Sequence, residues 1–303
     1  MFKNILFATS ATEACDYAAR VAFEIAQRYG AGLTVFHVLG VPTRGYSQMV
    51  RDVKTGETVS VDDEYRDWVK EELKTYYTEQ LERYGAARLE VAVGYPHREV
   101  LRYARKHQPD LIVMGGSTGA EDSSALKKSM AGSSLQMVAK SAPCPVLVVA
   151  RPAASFWGGI SSIVFGTDFS KASDAAFTFA LKTAKSLDCE LNLFHAVDTS
   201  GVHAGKVLAQ DDIEIKLREA RNRIRGRYAK QLGDFKHYSM EVWEGLPYVE
   251  IVKFAREKQA DLIVMAHHTR ETGSDAVRLG SNMEQVIMRA TCPVVSVNRP
   301  QPA

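Results

Sequence analysis

The 303 residues lean to neither charge: 38 lysines and arginines stand against 36 aspartates and glutamates, a formal balance of +2. A dedicated nucleic-acid binder would carry a clear basic surplus, so that class is set aside. No apolar run approaches the roughly 20 residues of a membrane-spanning helix. Cysteine is scarce, and Cys15, Cys144, Cys189 and Cys292 form no C-x-x-C pair. Their apolar neighbours lead us to expect buried thiols in a reducing cytoplasm, not a redox centre. The opening MFKNILFATS enters a strand-like run without the basic, apolar and small-residue segments of a signal peptide, which agrees with a cytoplasmic location. Two phosphate-binding signatures are also missing, the Gly-Lys-Ser/Thr of a Walker loop and the G-x-G-x-x-G of a dinucleotide fold. No nucleophile, base and orienting group can be assembled, so no catalytic residues and no enzyme beyond slow ATP hydrolysis are expected.

What the sequence does hold, it holds twice. KNILFATSATEACDYAARVA corresponds to SSIVFGTDFSKASDAAFTFA, LTVFHVL to LNLFHAV, and GYPHREVLRYARKHQPDLIVMGG to GLPYVEIVKFAREKQADLIVMAH. SAPCPVLVV corresponds to ATCPVVSV. His195 follows His37 by 158 positions, Pro247 follows Pro96 by 151, and Cys292 follows Cys144 by 148. Length therefore differs only in the middle connection and in the segment after the fourth strand. A repeat of that size means two domains, 1–152 and 158–303, joined near ARPAASFWGG.

Within each half, short β-branched runs alternate with stretches of helical period, the pattern of a parallel sheet with helices on both faces. Strands are expected near residues 3–9, 32–39, 88–93, 110–114 and 145–149, and again near 162–167, 190–197, 238–243, 261–265 and 293–298. The helix near 211–232 places Leu217, Ala220, Ile224 and Tyr228 on one apolar stripe. Its remaining faces carry Arg218, Arg221, Arg223, Arg225 and Arg227, read as a solvated surface without a function.

In such a sheet, ligands lie beyond the carboxyl ends of the strands where strand order reverses. The loop after the first strand brings Ser10 in one half and Asp168 in the other. Ser10 and Glu13 have capping-box spacing. The loop after the fourth strand reads MGGSTGAEDSSALKKSMAGSS in one half and MAHHTRETGSDAVRLGSNMEQV in the other. Both end in Gly-Ser ahead of a helical pattern, Gly132-Ser133 and Gly280-Ser281, where helix amide groups form a seat for an anion. His267 and His268 lack a third ligand at a recognisable spacing, and no metal site is assigned. His37 and His195, in apolar strands, are read as satisfied core histidines.

A TDFS-like first turn (GTDFS, 166–170), an FHV or FHA second strand, DLIVM before a glycine loop, Gly-Ser before the next helix and a CPV last strand occur in fixed order. This set resembles the universal stress protein superfamily in its tandem form, over nearly the full chain. The resemblance implies two tandem doubly wound, five-stranded parallel-sheet domains of Rossmann-like, adenine nucleotide alpha hydrolase-like α/β type. It also implies that the last strands, Val146 to Val149 and Val294 to Val297, pair within the chain, with a homodimer as a further assembly.

In the nucleotide-binding branch of that family the first-turn aspartate and the residue after the second-strand histidine hold adenosine, and the fourth-strand loop with its G-[ST] holds ribose and phosphates. Carried over by position, this nominates Thr167, Asp168, Ala196, Met265, Ala266, Gly280, Ser281 and Asn282 in the second half. In the first it nominates Ser10, Val38, Gly115, Gly116, Gly119, Gly132, Ser133 and Ser134. The implied ligand is ATP or another adenine nucleotide, with or without Mg, held as a regulatory ligand of a stress-response protein that acts on an unidentified protein partner. The halves depart from the pattern in opposite ways: Ser10 stands where aspartate belongs, while Ala266 and Thr269 replace the first two glycines of the second loop. Asp168 is expected to matter for binding and little for stability. A scaffold of the same fold that binds no nucleotide is the alternative.

Overall fold

The computed structural model describes residues 1–40, 49–51, 58–60, 62–85, 87–116, 134–151, 159–199, 209–267 and 281–298. Two compact units divide the chain, Met1–Ala150 and Arg151–Ala303. The first contains β1 (Asn4–Thr9), α1 (Asp16–Tyr29), β2 (Gly32–Gly40), β3 (Met49–Arg51), β4 (Thr58–Ser60), α2 (Asp63–Tyr76), α3 (Thr78–Tyr84), β5 (Arg88–Gly94), α4 (Pro96–His107), β6 (Leu111–Gly115), α5 (Ser134–Ser141) and β7 (Val146–Val149). The second contains β8 (Ser162–Gly166), α6 (Lys171–Leu187), β9 (Glu190–Val197), α7 (Gln210–Leu232), β10 (Tyr238–Glu244), α8 (Pro247–Glu257), β11 (Leu262–Ala266), α9 (Ser281–Arg289) and β12 (Val294–Val297). The ten expected strands are present, each within a residue of its expected bounds.

Within the first unit the parallel order is β7-β6-β1-β2-β5, and within the second it is β12-β11-β8-β9-β10. Central strands covered on both faces must be apolar throughout. β1 accordingly buries every residue from Ile5 to Thr9, and β8 buries all five of its residues. Each Ile, Leu or Phe so placed contributes about 1.5 to 3 kcal/mol of transfer free energy. From β1 the chain steps outward to β2 and β5, then returns to β6 and β7. Right-handed crossovers put the outward helices on one face and the returning ones on the other. The packing of α1 with α3, of α4 with α5 and of α8 with α9 follows that rule. Strand order reverses between β1 and β6, and between β8 and β11.

Two repeated motifs have structural duties in both units. The aspartate of DLIVM fixes the start of the first strand: Asp110 Oδ2 accepts from the Lys3 and Asn4 amides at 2.6 and 2.8 Å. Asp261 Oδ2 does the same for Ser161 and Ser162 at 2.7 and 3.2 Å. In Gly-x-Pro-x-x-Glu, the proline opens a helix where its missing donor costs nothing, as Pro96 and Pro247 do. Gly94 and Gly245 have φ of +151° and +129°, and a Cβ there would lie 2.9 and 2.8 Å from Cγ of Glu99 and Glu250.

Three local features differ from expectation. A short antiparallel hairpin, β3 with β4, occupies the longer middle connection of the first unit. The first unit replaces the continuous α7 by two helices that meet at Tyr77. The capping box of Ser10 and Glu13 does not form: a 3-10 turn spans Glu13–Cys15, its N-cap is Thr12, and no side chain caps it. The Ser10 hydroxyl instead lies 2.9 Å from Thr12 Oγ1 and 3.3 Å from Cys15 Sγ. Cys15 and Cys189 are buried as expected, whereas Cys144 and Cys292 are half-buried. Burial pushes the Cys144 and Cys292 thiols up to about 12 and that of Cys189 to about 11. None of these three is a thiolate near neutrality.

No helix among the described residues is long and apolar enough to cross a membrane.

Candidate functional site

Both first turns are built alike. At the end of β1 the Thr9 hydroxyl accepts from the Ala11 amide at 2.9 Å, and at the end of β8 the Thr167 hydroxyl accepts from the Phe169 amide at 3.0 Å. The bond draws the next residue but one into the left-handed region, φ +52° at Ala11 and +61° at Phe169. Non-glycine residues rarely hold that conformation, so it persists only where its surroundings enforce it.

Two further groups do the enforcing. Thr9 Oγ1 lies 2.5 Å from the Tyr77 hydroxyl, and Thr167 Oγ1 lies 2.7 Å from that of Tyr228. Both tyrosine side chains are fully buried, and a buried phenol must find a partner. His37 Nδ1 meets the Thr9 carbonyl at 3.0 Å, and His195 Nδ1 meets the Thr167 carbonyl at 2.7 Å. A carbonyl only accepts, so Nδ1 carries the proton and Nε2 the lone pair. Burial lowers the pKa of both rings, against the opposing effect of those carbonyl bonds. Both histidines are therefore satisfied and neutral near pH 7, in accord with their reading from the sequence.

Asp168 is exposed, yet its carboxylate is already engaged in the turn. Oδ1 accepts from the Ser170 amide at 2.9 Å and from the Ser173 hydroxyl at 2.5 Å. Ser170 then caps α6 by accepting from the Ser173 amide at 3.2 Å. Asp168 thus closes an Asx turn ahead of the helix, a structural duty that stands beside the binding role expected of it. Phe169 packs its ring 4.4 Å from His195 and carries the Arg223 guanidinium 4.6 Å above its face. Arg227, one helical turn further along α7, makes a two-pronged ion pair with Asp174, both contacts at 2.7 Å. Two of the arginines read as plain solvated surface therefore have defined contacts.

The carboxyl ends of β9, β8 and β11 bring Thr167, Asp168, Ala196, Met265 and Ala266 into one neighbourhood, through the pairs Gly166 with Phe194 and Met265 with Gly166. In the first unit, Ser10, Val38, Gly115 and Gly116 are gathered in the same way at β2, β1 and β6. The model for the universal stress protein family matches residues 1–150 and again residues 159–298. The chain belongs to the universal stress protein family. A universal stress protein of Methanocaldococcus jannaschii is 38% identical over 144 residues, 46% of this chain and 82% of that one. The crystal structure of a universal stress protein from Archaeoglobus fulgidus shares the fold at a TM-score of 0.67 and 22% identity, covering 98% of this chain and 97% of its own. A universal stress protein solved in complex with cAMP is 27% identical over 47% of this chain and 99% of its own, at a TM-score of 0.34.

In these universal stress protein domains, two of the nominated glycines are required by packing. A Cβ at Gly115 would meet the Ala14 carbonyl at 2.7 Å and Cys15 Sγ at 3.0 Å. One at Gly116 would lie 2.4 Å from Ala150 Cβ. The amide of Gly116 bonds to the Val149 carbonyl at 3.0 Å, and in the second domain the amide that bonds to Val297 in the same way, at 3.1 Å, is that of His267. His267, not Ala266, therefore stands where the first domain has the glycine that opens G-x-x-G. Ser134 and Asn282 are half-buried, at the first position of α5 and the second of α9, and Ser281 begins α9. Gly119, Gly132, Ser133, Thr269 and Gly280 lie outside the described residues.

Tyr77, Tyr228, Phe169 and Arg223 were missed from the sequence. One signal was available: Tyr228 follows Tyr77 by 151 positions, the spacing of the repeated prolines. As chemistry, the arrangement offers a fixed carboxylate, a neutral imidazole and a buried hydroxyl already bonded to a phenol. These groups can position a ligand, but they do not form a nucleophile paired with a base.

Proposed function

We propose that the protein binds an adenine nucleotide in at least one of its two domains as a regulatory ligand, and that a protein partner in the cytoplasm reads the bound and free forms. The observation that carries this reading is the first turn of the second domain. It is a rigid loop at the point of strand reversal, where open parallel sheets take their ligands, and it presents the exposed Asp168. Its Thr167, Tyr228 and His195 supports all come from the chain itself, so little ordering cost is left for binding. A carboxylate suits ribose hydroxyls or an exocyclic amine, both of which donate hydrogen bonds. Membership of the universal stress protein family supports the same ligand class.

The test is to denature freshly purified protein, identify the released small molecules by mass spectrometry, and titrate ligand-free protein with ATP, ADP and AMP by calorimetry. Release of an adenine nucleotide, or binding of one on titration, is the expected result. A blank in both measurements would overturn the reading in favour of a nucleotide-free scaffold.

A further inference from the structure

We propose that the outward helices carry an interface between copies of this chain, in which α7 of the second domain docks on α2 of the first domain of another copy. In the first domain α1, α2 and α3 share a face, tied by the packing of α1 on α3 and by the Tyr76 hydroxyl, which donates to Asp16 at 2.9 Å. In the second domain α6 and α7 form the matching face, tied by Arg227 and Asp174. With Ser10 and Asp168 both counted, residues 10–29 and 63–84 carry six lysines and arginines against ten aspartates and glutamates. The matching residues 168–187 and 210–232 carry ten against six. The duplicated fold therefore presents opposite charge on the same face of its two halves, while the whole chain balances at +2. Each face repels its own kind and complements the other.

The side chains match in kind as well as in charge. On α2, Glu64, Trp68, Glu72 and Tyr76 recur at every fourth residue, about 6 Å apart along the helix, and all four are exposed. Trp68 and Tyr76 are 49% and 42% exposed, although rings of that size are mostly buried. Asp63, Asp67 and Glu71 are engaged by Arg66, Lys70 and Lys74, whereas Glu64 and Glu72 have no ion-pair partner among the described residues. On α7, Arg218, Arg221 and Arg225 lie at spacings of three and four and are exposed. Among the described residues none of these three is in an ion pair, unlike Arg227. Arginine both grips a carboxylate with two prongs and lies flat on an aromatic ring. Alternating carboxylates and rings thus form a track for a stripe of arginines of similar rise. A polyanion would suit α7 but leave the α2 track uncovered; a second copy of the chain covers both. Because each chain brings one face of each kind, the contact is head-to-tail.

Sedimentation velocity of the full chain over a range of concentrations, at low and at high salt, tests the interface. Wild type is expected to exceed the 33.5 kDa of one chain at low salt and to return to it at high salt, where exposed charges are screened. Two sets of charge reversals, Arg218→Glu/Arg221→Glu/Arg225→Glu and Glu64→Lys/Glu72→Lys, should each weaken association by a factor of about 100 or more. Combining all five in one chain should recover about tenfold or more of that loss, which also shows that the reversed chains are folded. Trp68→Ser should weaken association without altering charge. A wild type that stays at one chain mass at low salt would overturn the proposal, as would association indifferent to either set of reversals. Loss on reversing the arginines without loss on reversing Glu64 and Glu72 would overturn the pairing of these two helices, as would five reversals that recover nothing in a folded chain.

Discussion

The Tyr228 hydroxyl lies 2.7 Å from Thr167 Oγ1, and the equivalent Tyr77 and Thr9 lie 2.5 Å apart in the other domain. Each threonine also accepts from the amide two residues on, so a single hydroxyl serves both a distant helix and the turn. Tyr228→Phe removes one hydrogen bond and is expected to cost about 1 kcal/mol. Thr167→Val leaves both the phenol and the Phe169 amide without their partner in a buried place and is expected to cost about 3 kcal/mol. Urea denaturation of the two variants checks the order; equal losses would mean that the threonine contributes nothing to the turn.

Asp168 is expected to act in stability and in binding at once, and two substitutions separate the roles. Asp168→Ala removes the acceptor for Ser170 and Ser173 and should cost about 1 kcal/mol. Asp168→Asn keeps an acceptor oxygen for the turn and removes the charge, so its melting temperature should stay near wild type while nucleotide affinity falls. A large drop in melting temperature for Asp168→Asn would show that the turn needs the charge itself.

The half-buried histidines of the second strands predict a pH dependence of stability. His37 and His195 have folded pKa values below the ordinary 6.5, chiefly through desolvation. The unfolded chain therefore binds more protons than the native one as pH falls below 6.5, and stability must fall with it. Above 6.5 the contribution is fully present. Asn at either position can still donate to the threonine carbonyl but does not titrate. The double variant His37→Asn/His195→Asn should lose less stability than wild type between pH 7.5 and 5.5 in denaturant titrations; an identical loss would place the pH dependence elsewhere.

The parallel strands were legible because burial on both faces leaves continuous apolar runs such as Leu262 to Val264, and because the repeat reports each one twice. β3 and β4 were not, since three residues each carry no readable period. The capping box of Ser10 and Glu13 failed because sequence spacing cannot reveal that Ala11 turns left-handed and a 3-10 turn comes first. Tyr228 was legible as an apolar position on its helix, but not as the support of the turn, because its partner stands 61 residues away. The Arg223 contact with Phe169 was hidden in the same way. Local pattern gave the elements and their faces, while the site depends on pairs that only the crossovers bring together.

Gly116 has two competing explanations, and ligand-free protein decides between them. If glycine stands there only to let a phosphate approach the backbone, Gly116→Ala should fold with wild-type stability and bind nucleotide less well. The structure gives a different reason: the new methyl would sit 2.4 Å from Ala150 Cβ and 2.5 Å from its Cα, at the end of the β6 and β7 pair. The second of those atoms is backbone, so the strands must part, and crowding of that kind costs about 1 to 3 kcal/mol. Gly116→Ala should therefore lower the denaturation midpoint with no nucleotide present, and Ala150→Gly in the same chain should restore only part of the loss because the clash with the backbone of residue 150 remains. The second domain holds His267 at the matching position without a glycine, so the constraint belongs to the packing of the first domain and not to the fold. An unchanged midpoint in ligand-free Gly116→Ala would reject the packing account and return the residue to the phosphate.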